Sequence, residues 1–229
     1  MFHHHHSYRS HHPRKTELSA PVRGHSRVKV VHNVAKGPKV NVVVDGKIAL
    51  GDVAYKAISD YLKLPSGKHA VAITTTDGSK TLASADVVLS DNKDYTVIAH
   101  GDVTDLSSLA LLALEDNNSC PARGKAHVRF VHAAAGAPPV DIWANMKAKV
   151  FQNVSYGSTG NPTYLPVDAG ELTLAVTPAG STDVVLGPIP VRLSSGKTYS
   201  VIASGLVGDS DAPLTALISE DNSCSTVYM

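Results

Sequence analysis

Histidines stand at matching places in two similar stretches, His32 in Val28-Lys-Val-Val-His32 and His132 in Val128-Arg-Phe-Val-His132. An imidazole can ligate a metal or move a proton, but a metal site needs partners, and Asp45, Asp141 and His100 are the available ones. None stands at a spacing that by itself builds a three-ligand site, so both histidines are read as structural residues on the core-facing register of a strand. The acid pairs Glu115-Asp116 and Glu220-Asp221 carry the residue types of glycoside hydrolysis, which needs two carboxyl groups within about 5–10 Å. They end two separate repeats, nothing in the sequence brings them to one cleft, and solvated domain edges are expected. Gly196-Lys197-Thr198 has the ending of a phosphate loop, but the glycine required five residues earlier is Val191. The Tyr199-Ser-Val-Ile-Ala203 that follows reads as strand where a helix is needed, so this is a hairpin turn. No Gly-x-Ser-x-Gly elbow occurs, and Cys120 and Cys224 follow Asn-Ser pairs, away from any histidine-bearing motif. These residues do not assemble a catalyst, and a non-enzyme without a cofactor is the expectation.

The elements that must position these groups come as two copies. Val28 to Val44 returns as Val128 to Ala144, each reading as strand, Pro/Gly turn, strand. The offset is 100 residues at His32 and His132, 101 at Tyr55 and Tyr156, 103 at Gly67 and Gly170, and 104 at Tyr95 and Tyr199. It grows only in loops, as two copies of one fold should show. Within each copy the apolar period is two: Val28, Val30 and His32 share one face, and Val40, Val42 and Val44 share the next. Turn signals such as Asp45-Gly46, Pro65-Ser-Gly67 and Asp77-Gly78 recur every 8–12 residues, the pattern of a β-sandwich. Leu106 to Leu114 and Ala212 to Ile218 are also read as strands, the second on account of its proline, threonine and isoleucine. The expected class is all-β: two tandem immunoglobulin-like antiparallel β-sandwich domains. A basic His-rich arm covers 1–26, the first sandwich 27–120, a short linker 121–125 and the second sandwich 126–229. Tyr95 and Tyr199 open equivalent late strands, where a tyrosine-corner role is expected, with the hydroxyl on nearby backbone.

Charge sharpens this division. The 229 residues carry 21 basic and 20 acidic side chains, a net charge of +1. Residues 1–27 hold Arg9, Arg14, Lys15, Arg23 and Arg27 against Glu17, so the arm region is about +4 and the remainder about −3. A basic arm on a mildly acidic body suits docking on something negative, and excludes sequence-specific nucleic-acid reading by the body. Consecutive histidines, His3, His4, His5 and His6, are metal candidates of undefined geometry. No stretch of about 18 apolar residues occurs, so no membrane span is expected. Met1-Phe2 followed by histidines lacks the apolar core of a secretory signal, which predicts a particle assembled inside a cell, such as a virion, or a surface protein exported by another route. On that basis Cys120 and Cys224 are expected as free thiols, with an interchain or interdomain bridge as the alternative.

The paired openings, each followed by a Pro-x-Val-(Asp/Asn) strand, together with Leu64-Pro-Ser-Gly67, Val167-Asp-Ala-Gly170, Gly196-Lys-Thr-Tyr199 and Leu114-Glu-Asp-Asn117, resemble the tandem repeats of the domain of unknown function 4397. The resemblance covers about residues 27–225 and implies sandwich repeats in exported or surface-attached proteins, with no established activity. Two functional classes follow. The first is a structural or interaction protein that joins other protein subunits, in a homo- or hetero-oligomeric assembly, through residues 1–26. The second is a ligand or glycan-binding module on loops of the second sandwich, using Trp143, Tyr156 and Tyr164.

Overall fold

In the computed structural model of the chain, the described residues are 24–116 and 119–223. The basic arm up to residue 23, with His3 to His6, lies outside them, as does Cys224. Among the described residues every regular element is a strand. The first repeat supplies β1 (His25–Ala35), β2 (Val40–Val44), β3 (Lys47–Val53), β4 (Leu62–Pro65), β5 (Gly67–Thr75), β6 (Thr81–Leu89), β7 (Asp94–Asp102) and β8 (Asp105–Glu115). The second supplies β9 (Lys125–His132), β10 (Val140–Ala144), β11 (Ala148–Val154), β12 (Ser158–Thr159), β13 (Leu165–Asp168), β14 (Gly170–Pro178), β15 (Leu186–Leu193), β16 (Lys197–Ser204) and β17 (Thr215–Ser223).

Each repeat folds as two packed sheets. In the first, β4-β1-β7-β8 faces β3-β2-β5-β6; in the second, β12-β9-β16-β17, with β13 also on β9, faces β11-β10-β14-β15. The tandem all-β sandwich expected from the sequence is what forms. Its likeness to immunoglobulin domains lies in the packing of two sheets, since the strand order is its own. Both β1 with β7 and β9 with β16 pair in parallel, whereas the other ladders are antiparallel. Asp45 and Gly46 both take positive φ, 49° and 78°, giving the tight β2–β3 hairpin that the Asp-Gly pair predicts.

Alternation along the inner strands decides what each face does. On β1 and β7, Val28, Val30, Tyr95, Val97 and Ala99 enter the core of their own sandwich. On β9 and β16, Val128, Phe130, Tyr199, Val201 and Ala203 do the same. The residues between them are just as buried. Val31, Ile98, Val131, Ala133 and Ile202, all at 1% exposure or less, form a separate cluster where the two inner sheets meet. The molecule is therefore four sheets deep, and its central strands are covered on both faces. A buried Val or Ile side chain contributes about 1.5–3 kcal/mol, so this small middle cluster is enough to favour closure of the sandwiches on each other.

The tyrosine corners form in both copies. Tyr95 Oη accepts from the Ser90 amide at 3.0 Å, and Tyr199 Oη from the Ser194 amide at 3.1 Å. Each ring is 7% exposed, so phenol and backbone satisfy each other at the core edge. Tyr95→Phe and Tyr199→Phe should each lower stability by about 1 kcal/mol, the net worth of one such bond, as read from urea unfolding midpoints.

Candidate functional site

The interior between the inner sheets is where charged side chains converge. Strand alternation aims Lys29 of β1 and Arg129 of β9 away from their own cores and into this seam, at 2% and 0% exposure. Asp116, just after β8, and Asp221 of β17 enter it from the two strand ends, at 2% and 1%. An unpaired charge in such a place costs several kcal/mol, so each needs an opposite charge and a full set of hydrogen bonds. Lys29 Nζ donates to Ser219 Oγ at 2.6 Å, the Glu220 carbonyl at 3.0 Å and Asp221 Oδ1 at 2.7 Å, which uses all three ammonium protons. Arg129 donates from Nε to Ser200 Oγ at 2.9 Å, from Nη1 to the Glu115 carbonyl at 3.2 Å, and from Nη2 to Asp116 Oδ1 at 2.7 Å. Its Nη2 also lies 3.4 Å from Asp221 Oδ2. Thr96 and Tyr61 donate to Asp116, and Ser200 and Tyr164 to Asp221. Two cations and two anions cancel.

The seam has an approximate two-fold logic. Lys29 of the first repeat pairs with Asp221 of the second, and Arg129 of the second with Asp116 of the first. The Tyr61 ring lies under Lys29 and the Tyr164 ring under Arg129, with cation-to-centroid distances of 5.1 and 4.8 Å. Tyr55 Oη meets Ser204 Oγ at 3.2 Å, and in the matching place Tyr156 Oη meets His100 Nδ1 at 2.8 Å. Asn33 breaks the symmetry: its amide donates to the carbonyls of Ala133 and Ala203, whereas the matching position in the second repeat is Ala133. A surface ion pair, Lys36 with Asp209, closes one end.

Two expectations are corrected here. Asp116 and Asp221 are not solvated edges: both bind one guanidinium, because the pairing of the sandwiches covers the face on which alternation places them. Only their neighbours stay outside, Glu115 with Lys93 at 2.7 Å and Glu220 with Lys197 at 2.6 Å. Tyr156 and Tyr164 do not form an aromatic platform on loops, since both turn inward to the seam. Trp143 sits apart, half-buried, with Nε1 donating to Thr177 Oγ1 at 3.1 Å and Lys149 over its ring. The seam was missed from sequence, though one signal was present: a cation at the same interior position of both opening strands, flanked by valine, phenylalanine and histidine.

The Nε2 atoms of His32 and His132 each lie 3.0 Å from a turn carbonyl, Pro38 and Pro138. Their suggested partners are engaged elsewhere, Asp45 with His69 and Asp141 with Lys149. Among the described residues no group of three or more His, Cys, Asp or Glu could hold a metal. Lys197 and Thr198 begin β16 right after a turn at Gly196 with φ 81°. Cys120 is disulfide-bonded, so the free-thiol expectation fails for it.

Electrostatically the seam is closed. Burial raises the pKa of Asp116, and Arg129 draws it partly back. Burial also raises the phenols of Tyr61 and Tyr164, which stay protonated donors. With every charged atom bonded inside, the arrangement can hold two domains together but offers no open position to a substrate.

Replacing Arg129 by Met leaves Asp116 and Asp221 facing each other and should cost about 3–5 kcal/mol, measured by urea unfolding. Pairing that change with Asp116→Asn should recover part of the loss in a double-mutant cycle. Acid should also weaken the fold. Burial lowers the pKa of His32, His100 and His132 below the ordinary 6.5, so their contribution is complete above 6.5 and lost as pH falls through the folded values. Asp116 has the opposite sign, its contribution being lost as pH rises through its raised folded value. Through the three imidazoles the melting temperature should drop between pH 7 and pH 5.

Two solved structures are similar at a low level. The Bacillus anthracis TIE protein matches with TM-score 0.24 and 11% identity over 80% of this chain, which spans 34% of that one. A structure of alpha-glucan recognition by family 41 carbohydrate-binding modules from streptococcal virulence factors matches with TM-score 0.25 and 12% identity, over 78% of this chain and 92% of that one. Such TM-scores carry neither fold nor ligand across. No curated protein matches. The model of the domain of unknown function (DUF4397) matches twice, over residues 26–143 and 126–227. Two copies of one sandwich, joined by their inner sheets, are thus two copies of one domain, and the chain belongs to the DUF4397 family.

Proposed function

We propose that this chain is a non-catalytic interaction protein, a rigid two-sandwich unit that docks into a larger protein assembly through its basic arm and its outer sheets. The observation that carries the reading is the seam itself. A chain that commits Lys29, Arg129, Asp116 and Asp221 to a closed, neutral contact between its domains fixes their relative placement, which suits a building unit more than a hinged cleft. Large apolar side chains on strands of the first outer sheet support the same reading. Ile48 on β3 is 64% exposed and Val88 on β6 is 66% exposed, both at sheet edges that a neighbouring chain can extend or cover. The disulfide at Cys120 favours an oxidising setting, and so a surface or filament layer over a virion shell or decoration assembled in a reducing cytosol. The glycan-binding alternative loses its aromatic platform, since Tyr156 and Tyr164 spend their hydroxyls inside the seam.

Light scattering coupled to size exclusion tests this on the full chain and on a chain starting at Gly24. The full chain should run as a multimer at tens of micromolar, and the shortened one as a monomer with an unchanged melting temperature. Two identical monomers would remove both the arm and the assembly role.

A further inference from the structure

The two sandwiches differ most at one end of their cores. In the second, a cavity of about 190 Å³ opens between the sheets, whereas the equivalent space in the first is about 10 Å³. The walls come from matching positions of the two repeats, so the first domain is an internal control. Two differences in the chain account for the space. The β7–β8 connection spans only residues 103–104, but its counterpart between β16 and β17 spans 205–214, and the β5–β6 connection, 76–80, lengthens to 179–185 between β14 and β15. The tight β7–β8 hairpin that closes the first core is thus opened into a loop in the second, and the neighbouring connection is longer. Val103 consequently packs on the first core, while the matching Val207 is 54% exposed at the rim beside Val185 at 48%. Within the wall, Val34 and Ile73 of the first domain are replaced by the smaller Ala134 and Val176, while Leu186 stands where the first domain has Leu82.

One polar side chain stands in the wall. His132 is 1% exposed, donor or acceptor at Nε2 to the Pro138 carbonyl, and its Nδ1 is buried with no partner. In the first domain the matching His32 Nδ1 is reached by the Val34 amide at 3.4 Å. An apolar space of this size with an exposed valine rim is unlike a packing defect, which would be sealed. Apolar cavities of about 150 Å³ stay dry and take up one benzene-sized molecule.

We infer that the open end of the second sandwich is a binding site for an uncharged, ring-sized apolar group, entering between Val185 and Val207 and resting on Ala134 and Val176. Charge is excluded because the wall offers no counter-ion, and burying a bare carboxylate there costs several kcal/mol. The site is separate from the seam and from the assembly reading, and stands or falls without them.

Methyl-resolved NMR of the full chain, titrated with toluene and with benzoate, tests it. Toluene should shift the methyls of Val176, Val185 and Val207 with saturation in the millimolar range, leave Ile73 and Leu82 in place, and benzoate should shift neither set. Restoring the first domain's residues with Ala134→Val and Val176→Ile should weaken toluene at least tenfold. Leu186→Phe, which blocks from the rim, should do the same if the first pair of changes disturbs folding. Absence of shifts with toluene, equal shifts in both domains, or unchanged affinity in folded variants would each overturn the site.

Discussion

Four charges buried between two sheets are the constraint from which the rest of this molecule follows. Neither sandwich alone could keep Lys29 or Arg129 dry, since the nearest carboxylate of each lies in the other repeat. Separated, each domain would return a cation, an aspartate and a strip of Val and Ile to water. Together, the ions cancel and their lone pairs and protons are used. Net gain from such a pair is small against a hydrophobic replacement, but loss of one member is expensive. Charge here specifies which surfaces meet and in what register, while Val31, Ile98, Val131 and Ile202 supply the attraction.

The arrangement behaves as a two-fold interface written into a single chain. Tyr61 and Tyr164, Thr96 and Ser200, and Asp116 and Asp221 take matching roles on opposite sides. In a symmetric dimer one surface must complement itself. Tandem duplication relaxes that demand, and the chain has used the freedom: lysine on one side and arginine on the other, Asn33 opposite Ala133, His100 where the partner repeat has Ser204. The same freedom operates at the far end of the cores, where one domain is sealed and the other open.

Much of the fold was legible in the sequence, for a physical reason. Period-two patterning, Asp45-Gly46 and the growing offset between copies are local signals that survive any tertiary context, and they place strands, turns and repeats. The tyrosine corners were legible because Tyr95 and Tyr199 follow turns at the same distance. The seam was not. Whether the outward face of β1 meets water or another sheet depends on residues about 190 positions away, as the Lys29–Ser219 bond shows. Parallel pairing of β1 with β7 is equally silent locally. Tyr156 and Tyr164 read as loop aromatics because nothing near them announces Arg129 or His100. For the same reason Asp116 and Asp221 looked like twin surface acids.

Backbone 15N relaxation of the full chain tests most directly whether the two sandwiches form one rigid body through the seam. A single rotational diffusion tensor should fit amides of both domains, and Arg129→Met should split it into two with shorter correlation times. Two independent tensors in the unaltered chain would contradict the single rigid body, because a closed seam cannot coexist with domains that tumble separately.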